Sequence, residues 1–212
     1  MICVSLAEKT VQDCQKVLEG IEFAEIRLDR MKTVPSEVEK LFGSHPKLMA
    51  TCRPGPYRRE MRLKLLSTAI AAGASYVDIE VDADAEYTRA VLAATKKNRC
   101  RVIVSYHNTK GTPGKSELKS ILRACFDSGG DLAKIACHVR EEKENVRLLS
   151  LLEDDENVLV IGLGQKGRKT RILAPLLGSP FTYASLSKGK ETAEGQLDWK
   201  TLKNLIETFK NV

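Results

Sequence analysis

The sequence contains no long hydrophobic run. Its apolar stretches are short and interrupted, too short for a bilayer span. Aromatic residues are scarce at 5%, with a single tryptophan, and no basic motif carries interleaved aromatics. That argues against a nucleic-acid reader. The six cysteines (Cys3, Cys14, Cys52, Cys100, Cys125 and Cys137) include no CxxC pair, whereas a zinc cluster needs ligands in close pairs. Most lie in apolar surroundings and are expected to be buried free thiols in a reducing, cytoplasmic compartment. The first residues, Met1-Ile-Cys-Val-Ser-Leu-Ala-Glu-Lys9, have no basic leader ahead of an apolar region. The expectation is no signal peptide and a strand that starts at once.

What is present is an ordinary globular composition, 42% hydrophobic and 29% charged over 212 residues, within reach of one sizeable domain. The net charge of +6 reads as a solvated surface at Lys96-Lys97-Asn98-Arg99, or as attraction for an anion. A small carboxylate or phosphate substrate fits better than nucleic acid.

Short β-rich runs alternate with longer helical ones. The strand candidates are residues 2–6, 24–28, 47–52, 76–81, 101–106, 132–137, 158–161 and 181–184. Between them, segments such as 58–72, 85–97, 116–128 and 141–152 repeat apolar residues at spacings of three and four, the period of an amphipathic helix. Gly20, Gly43, Gly73 and Gly129-Gly130 follow helical runs where left-handed caps are expected, and Asp198 is placed to cap the last helix. Eight β/α units without a long linker predict parallel strands closing into one (β/α)8 TIM barrel over residues 1–212, with an open doubly wound sheet as the alternative.

Parity along the strands favours the barrel. Side chains alternate faces, so Glu25, Arg27 and Asp29 share one side of the second strand. The same side carries Thr51 and Arg53, then Asp78 and Glu80, then Ser105 and His107, then Lys134. The opposite parity is apolar: Val77 and Ile79, Val102 and Val104, Ala133 and Ile135. An open sheet covered by helices is apolar on both faces. In a barrel, charges near the C-terminal strand ends converge on the mouth where active sites form. The competing reading is a structural ion-pair network.

Lys134 sits among small and apolar neighbours in Gly130-Asp-Leu-Ala-Lys-Ile-Ala-Cys137. A lysine is ordinarily protonated and inert. Burial and the cations Arg27, Arg53 and Arg171 are expected to free its amine for attack on a carbonyl, giving an imine. The bland alternative pairs it with Glu25, Glu80 or Asp78. His107 closes the fifth strand and suits a base that takes and returns a proton. His138, on the parity of Lys134, is the weaker candidate, and His45 lies in a loop before Pro46. Gly162-Leu-Gly-Gln-Lys-Gly167 matches GxGxxG, but the next strand ends Tyr183-Ala-Ser-Leu186 without the acidic residue that a dinucleotide site wants. The cations from Lys166 to Arg171 instead suggest carboxylate binding after strand seven.

Seven stretches occur in an order that resembles type I 3-dehydroquinate dehydratase, the shikimate-pathway lyase. They are Glu25-Ile-Arg-Leu-Asp29, Thr51-Cys-Arg-Pro54, Tyr76-Val-Asp-Ile-Glu80, Ser105-Tyr-His-Asn108, Lys134-Ile-Ala136, Gly167 to Arg171, and Ala193-Glu-Gly-Gln196. The resemblance implies a Schiff base on Lys134 with the ring ketone, and His107 as base and then acid in expelling the tertiary hydroxyl. It implies that Arg171 holds the substrate carboxylate, with Glu25, Arg27 and Arg53 on the ring hydroxyls. Thr192 and Gln196 would come from a mobile loop, residues 186–196, hinged at Gly189 and Gly195. It further implies no metal or organic cofactor, no membrane or nucleic-acid partner, and a homodimer.

Three departures stand out. Tyr57, in Arg53-Pro-Gly-Pro-Tyr-Arg-Arg-Glu60, occupies roughly the place of a family glutamate, leaving Glu60 or Glu80 to tune His107. Thr192 replaces a common serine. Glu194 replaces a usual proline and puts negative charge on a loop covering a carboxylate. The alternatives are another Schiff-base barrel, such as an aldolase, or a binding protein of the same fold that has lost turnover.

Overall fold

The computed structural model describes residues 1–153 and 155–211. Strands and helices alternate throughout: β1 (Ile2–Leu6), α1 (Val11–Val17), β2 (Ala24–Arg27), α2 (Pro35–Gly43), β3 (Leu48–Thr51), α3 (Arg59–Ala71), β4 (Tyr76–Glu80) and α4 (Ala85–Thr95). The second half continues with β5 (Arg101–Asn108), α5 (Lys115–Asp127), β6 (Leu132–His138), α6 (Glu142–Leu149), β7 (Val158–Leu163), α7 (Gly164–Leu173), β8 (Thr182–Ser185) and α8 (Trp199–Lys210). Short 3₁₀ turns follow β2, α6 and α7. All the ladders are parallel, in the order β7-β6-β5-β4-β3-β2-β1-β8. The result is a (β/α)8 barrel, nearly closed. At its one seam β7 and β8 approach without a ladder among the described residues. The Ser179 hydroxyl crosses that seam to the Val158 carbonyl at 2.8 Å.

The two parities separate as the sequence predicts. Val77, Val102, Val104, Ala133 and Ile135 face outward into the layer between sheet and helices, where Leu65, Leu66, Val91, Leu118 and Leu148 cover them. Inward, Phe23, Met49, Tyr76, Ile103, Leu132 and Phe181 fill the N-terminal half of the barrel. Three of the rings interlock there. Phe23 meets Phe181 edge-on at 5.0 Å and Tyr76 at 5.4 Å, spacings that suit aromatic quadrupoles.

Asp198 accepts the Thr201 amide and starts α8, as expected, and Asp84 does the same for α4 through Tyr87. Gly20, Gly73 and Gly129 adopt left-handed φ values of 77°, 106° and 93°. Gly43 and Gly130 do not. Gly43 stays in the last turn of α2, which Ser44 closes in right-handed geometry. Gly130 is needed for closeness instead, since a Cβ there would lie 2.9 Å from the Cys125 carbonyl oxygen. α4 stops at Thr95, short of the expected Lys97.

Candidate active site

A cavity of about 330 Å³ opens at the C-terminal mouth. Glu25, Arg27, Arg53, His107, Lys134 and Arg171 all line it, joined by Thr192 and Gln196 from the β8–α8 loop. Every residue singled out from the sequence as catalytic or substrate-binding is therefore brought together. Part of the wall is apolar, formed by Ala136, Ile161 and Leu163. All three continue the inner parity of β6 and β7, and the middle of each strand fixes their direction.

Lys134 is 6% exposed and its Nζ lies 2.9 Å from Asp78 Oδ2. One partner held open in the sequence reading, Asp78, is thus the one found. The same carboxylate accepts Arg53 Nη2 at 2.7 Å and the Ser105 hydroxyl at 2.7 Å. Burial alone would raise the Asp78 carboxyl; Arg53, Lys134 and the Ser105 hydroxyl overcome this and hold it well below the usual carboxylate range. The Lys134 ammonium also lies 4.4 Å from the centre of the Tyr183 ring.

His107 stands at the rim, open to the cavity, and its ring has no hydrogen-bond partner among the described residues. Crowding by the surrounding protein, then the Lys134 and Arg53 cations, lower its pKa from the ordinary value. The cations alone push in the same direction, so the ring is neutral near pH 7 and ready to accept a proton.

Arg171 is 1% exposed. Its Nη1 donates to the Tyr183 carbonyl at 3.3 Å, across the β7–β8 seam. Its Nε and Nη2 have no hydrogen-bond partner among the described residues. Burial first, and then Arg168, lower the Arg171 pKa, so the cation is short of compensation. A guanidinium with two donors free at the edge of a cavity is a seat for a carboxylate.

The remaining polar groups are tied to one another. Glu25 accepts hydrogen bonds from the Ser5 hydroxyl and, at 2.8 Å, from the Thr51 hydroxyl. Arg27 is clamped through two bonds by Asp29. That places Asp29 on the 3₁₀ turn after β2, behind Arg27, and not on the cavity wall as its parity suggested. The Thr192 hydroxyl donates to Ser5 at 2.8 Å, and its amide to Gln196 Oε1 at 2.7 Å. Sequence reading passed over Ser5, Thr109 and Arg30. Ser5 gave no local signal beyond sharing the inner parity of β1, whereas Arg30 sits on the irregular turn where parity no longer applies.

The β8–α8 loop is docked over the site. Gly195 packs so tightly on Gly164 that a Cβ would come within 2.3 Å of the Gly164 carbonyl oxygen. The Gly164 amide, first in α7, donates to the Glu194 carbonyl at 3.2 Å. The GxGxxG stretch is thus used for close packing, of Gly162 on Gly167 and of the loop on Gly164. Glu194 reaches the cavity, with its carboxylate 3.8 Å from His138 Nδ1. Tyr57 points away from it: its hydroxyl donates to the Met31 carbonyl and accepts the Thr33 amide. Of the two carboxylates left to serve His107, Glu60 lies exposed on the first turn of α3, while Glu80 lines the cavity beside His107. Glu80 also lies 3.8 Å from Arg53 Nη1.

Comparison with known proteins agrees with this geometry. The family model described as Type I 3-dehydroquinase matches residues 2–211. The 3-dehydroquinate dehydratase of Methanocaldococcus jannaschii is 32% identical over 97% of both chains. That of Thermococcus gammatolerans is 34% identical, over 96% of this chain and 95% of its own. Among solved structures, the type I enzyme of Clostridium difficile superposes with a TM-score of 0.88 at 22% identity, covering 100% of this chain and 93% of its own, which speaks for the fold. By its sequence, from the first strand to the last helix, this chain belongs to the type I 3-dehydroquinase family.

Proposed function

We propose that the protein dehydrates 3-dehydroquinate to 3-dehydroshikimate through an imine on Lys134, with His107 moving the protons. The observation that carries this is the meeting, in one cavity, of a buried lysine, a histidine and a buried arginine with two donors unused among the described residues.

The chemistry runs as a balanced sequence. Lys134 gives up a proton, its free amine adds to the ring ketone, and the proton returns as water leaves, so that one ammonium and one ketone give one protonated imine and one water in sum. His107 then takes the proton from the adjacent carbon, and the C–H electron pair moves through the new C=C bond onto nitrogen, forming an enamine. The enamine returns its pair and expels the tertiary hydroxyl, which leaves as water with the proton held by His107. Addition of water to the iminium releases product and lysine. Nitrogen thereby supplies the electron sink, and no metal or organic cofactor is required. Arg171 grips the substrate carboxylate in a two-pronged pair, while Glu25, Arg27 and Arg53 face the ring hydroxyls. Thr192 and Gln196, held on the docked loop, close the site against water.

The same reading takes residues 1–212 as a single catalytic domain working as a cytoplasmic homodimer. The six buried free thiols support a reducing surrounding. Among the described residues, no helix is long and apolar enough to cross a membrane.

The test is borohydride reduction during turnover of 3-dehydroquinate, followed by intact mass and peptide mapping. A single substrate-derived adduct on Lys134, absent from Lys134→Ala, is the expected result. Turnover without an adduct would sink the imine while sparing the substrate. Neither turnover nor adduct would favour an aldolase-like carbonyl substrate or a binding protein.

A further inference from the structure

Lys134 touches two groups that favour a positive charge. One is Asp78, 2.9 Å away; the other is the face of Tyr183, whose ring centre lies 4.4 Å from Nζ. Tyr183 is 3% exposed and lines the cavity. Its position is fixed at three points. β8 pairs with β1 beside it, its hydroxyl meets Met49 Sδ at 3.5 Å, and its carbonyl takes the Arg171 guanidinium. Burial first, then the nearby Glu25 carboxylate, raise the phenol well above its ordinary pKa. The ring is therefore a neutral π-face and not a phenolate counter-ion.

We infer that Tyr183 is a positioning residue whose ring face holds the cationic nitrogen of Lys134, first as the ammonium and then as the iminium. The inference deepens the imine reading and rests on it for the second state only. Forming the imine conserves charge: one ammonium and one ketone give one iminium and one water. A group that binds the resting cation therefore binds the iminium as well. The enamine is different, because its nitrogen is neutral and the positive charge has moved to His107. The Tyr183 face consequently favours the iminium states on either side of the enamine. A planar iminium also lies flat against a ring more readily than a rotating ammonium does. Asp78 supplies the net charge, already shared with Arg53, whereas Tyr183 supplies direction and fixes where Nζ points.

The test replaces Tyr183 by phenylalanine and by phenylalanines carrying one, two and three ring fluorines, which drain the π-face at nearly constant shape. Two rates are read. In the free enzyme, arylation of Lys134 by fluorodinitrobenzene at fixed pH, mapped by peptide mass, reports the uncharged amine. It is expected to rise along the series by between about twofold and about thirtyfold, the span of a cation–π contact. With 3-dehydroquinate, borohydride trapping on Lys134 is expected to fall over the same range, because the iminium loses ground to the neutral enamine. Tyr183→Phe is the reference from which the fluorinated members are read, so the lost hydroxyl is common to the whole series. Opposite trends in the two rates are the signature, since loosened packing would move both the same way. A flat arylation series overturns the inference whatever the substrate proves to be. Rising arylation without any adduct in the parent enzyme keeps the cation contact and removes the imine reading.

Discussion

The two ends of the barrel interior share the same strands and differ in almost everything else. Along β2 and the residue before it the inner parity runs Phe23, Glu25, Arg27; on β4 it runs Tyr76, Asp78, Glu80; on β6 it runs Leu132, Lys134, Ala136. Two residues of travel, about 7 Å, take the wall from interlocked rings to ion pairs. The floor lowers the free energy by burying apolar area and asks nothing of geometry beyond fit. The mouth removes charges from water and recovers only part of their hydration through mutual pairing, so it is a poor source of stability. Stability and chemistry are thus divided along the barrel axis, and substitutions at the two ends should separate them.

The largest effect is expected at the mouth. Lys134→Ala should lower kcat by on the order of 10⁴-fold or more, as loss of a covalent nucleophile does. Its thermal midpoint should move little, because Asp78 keeps Arg53 and the Ser105 hydroxyl. Activity assays beside calorimetry check both halves; a collapse of the fold would mean that the Lys134–Asp78 pair is structural. Phe23→Ala is the mirror image. Removing a fully buried ring from the floor should destabilise by about 3–5 kcal/mol in a denaturant titration. The surviving folded enzyme should keep its kcat/KM, and a drop of tenfold there would show that floor and mouth are mechanically coupled.

Arg171 sharpens the contrast, because it belongs to the mouth yet is as buried as the floor. Arg171→Leu should raise KM on the order of 10²-fold, the usual penalty for breaking a buried charge contact to a ligand. The empty protein should unfold at the same temperature or higher, since an undercompensated cation has gone. A clear fall in thermal midpoint would instead make the Arg171 bond to Tyr183 a structural tie across the seam.

The division also explains what was legible in the sequence. Each of the eight strands was found to within a few residues, since outer faces are apolar and turns are marked. Whereas β2, β3 and β4 stop one residue sooner than expected and β3 and β8 begin one later, the strands read too short fall short at their C-terminal ends: β5 runs on to Asn108, β6 to His138, β7 to Leu163 and β8 to Ser185. There the ladder continues, with Asn108 opposite Cys137 and His138 opposite Leu163, although polar side chains make the sequence resemble loop. Charged inner residues were legible because an inward charge needs a reason. Ser5 and Tyr183 were not, because a small hydroxyl or an aromatic at an inner position looks like ordinary filling. Asp29 misled because strand parity was carried two residues past the end of β2, into a 3₁₀ turn.

His107 tests the electrostatics of the mouth directly. Its pKa is depressed in the folded protein, so the neutral ring is the favoured form there. The sign follows: this contribution to stability is present above the ordinary histidine value of about 6.5 and is lost as pH falls below it, where the unfolded chain takes up a proton first. An NMR titration of the His107 ring should give a midpoint well below that value in the parent and a higher one in Arg53→Gln. A midpoint at or above about 6.5 in the parent would mean that Lys134 and Arg53 do not reach the ring.

The smallest effect is expected where the mouth meets solvent. Glu194 brings a carboxylate to the cavity on the docked loop, and its partner there is His138, 3.8 Å away. The Glu194 side chain is 65% exposed, so its repulsion of a carboxylate substrate is screened and amounts to little. Glu194→Gln and Glu194→Pro should each lower KM by about two- to threefold at low ionic strength, with the gain fading as salt rises. Both variants keep the Glu194 carbonyl that accepts the Gly164 amide, so loop docking is retained and the charge is what changes. An unchanged KM in both at low salt would mean that this carboxylate does not reach the substrate, and Glu194 would then belong to the loop's fit and not to substrate affinity.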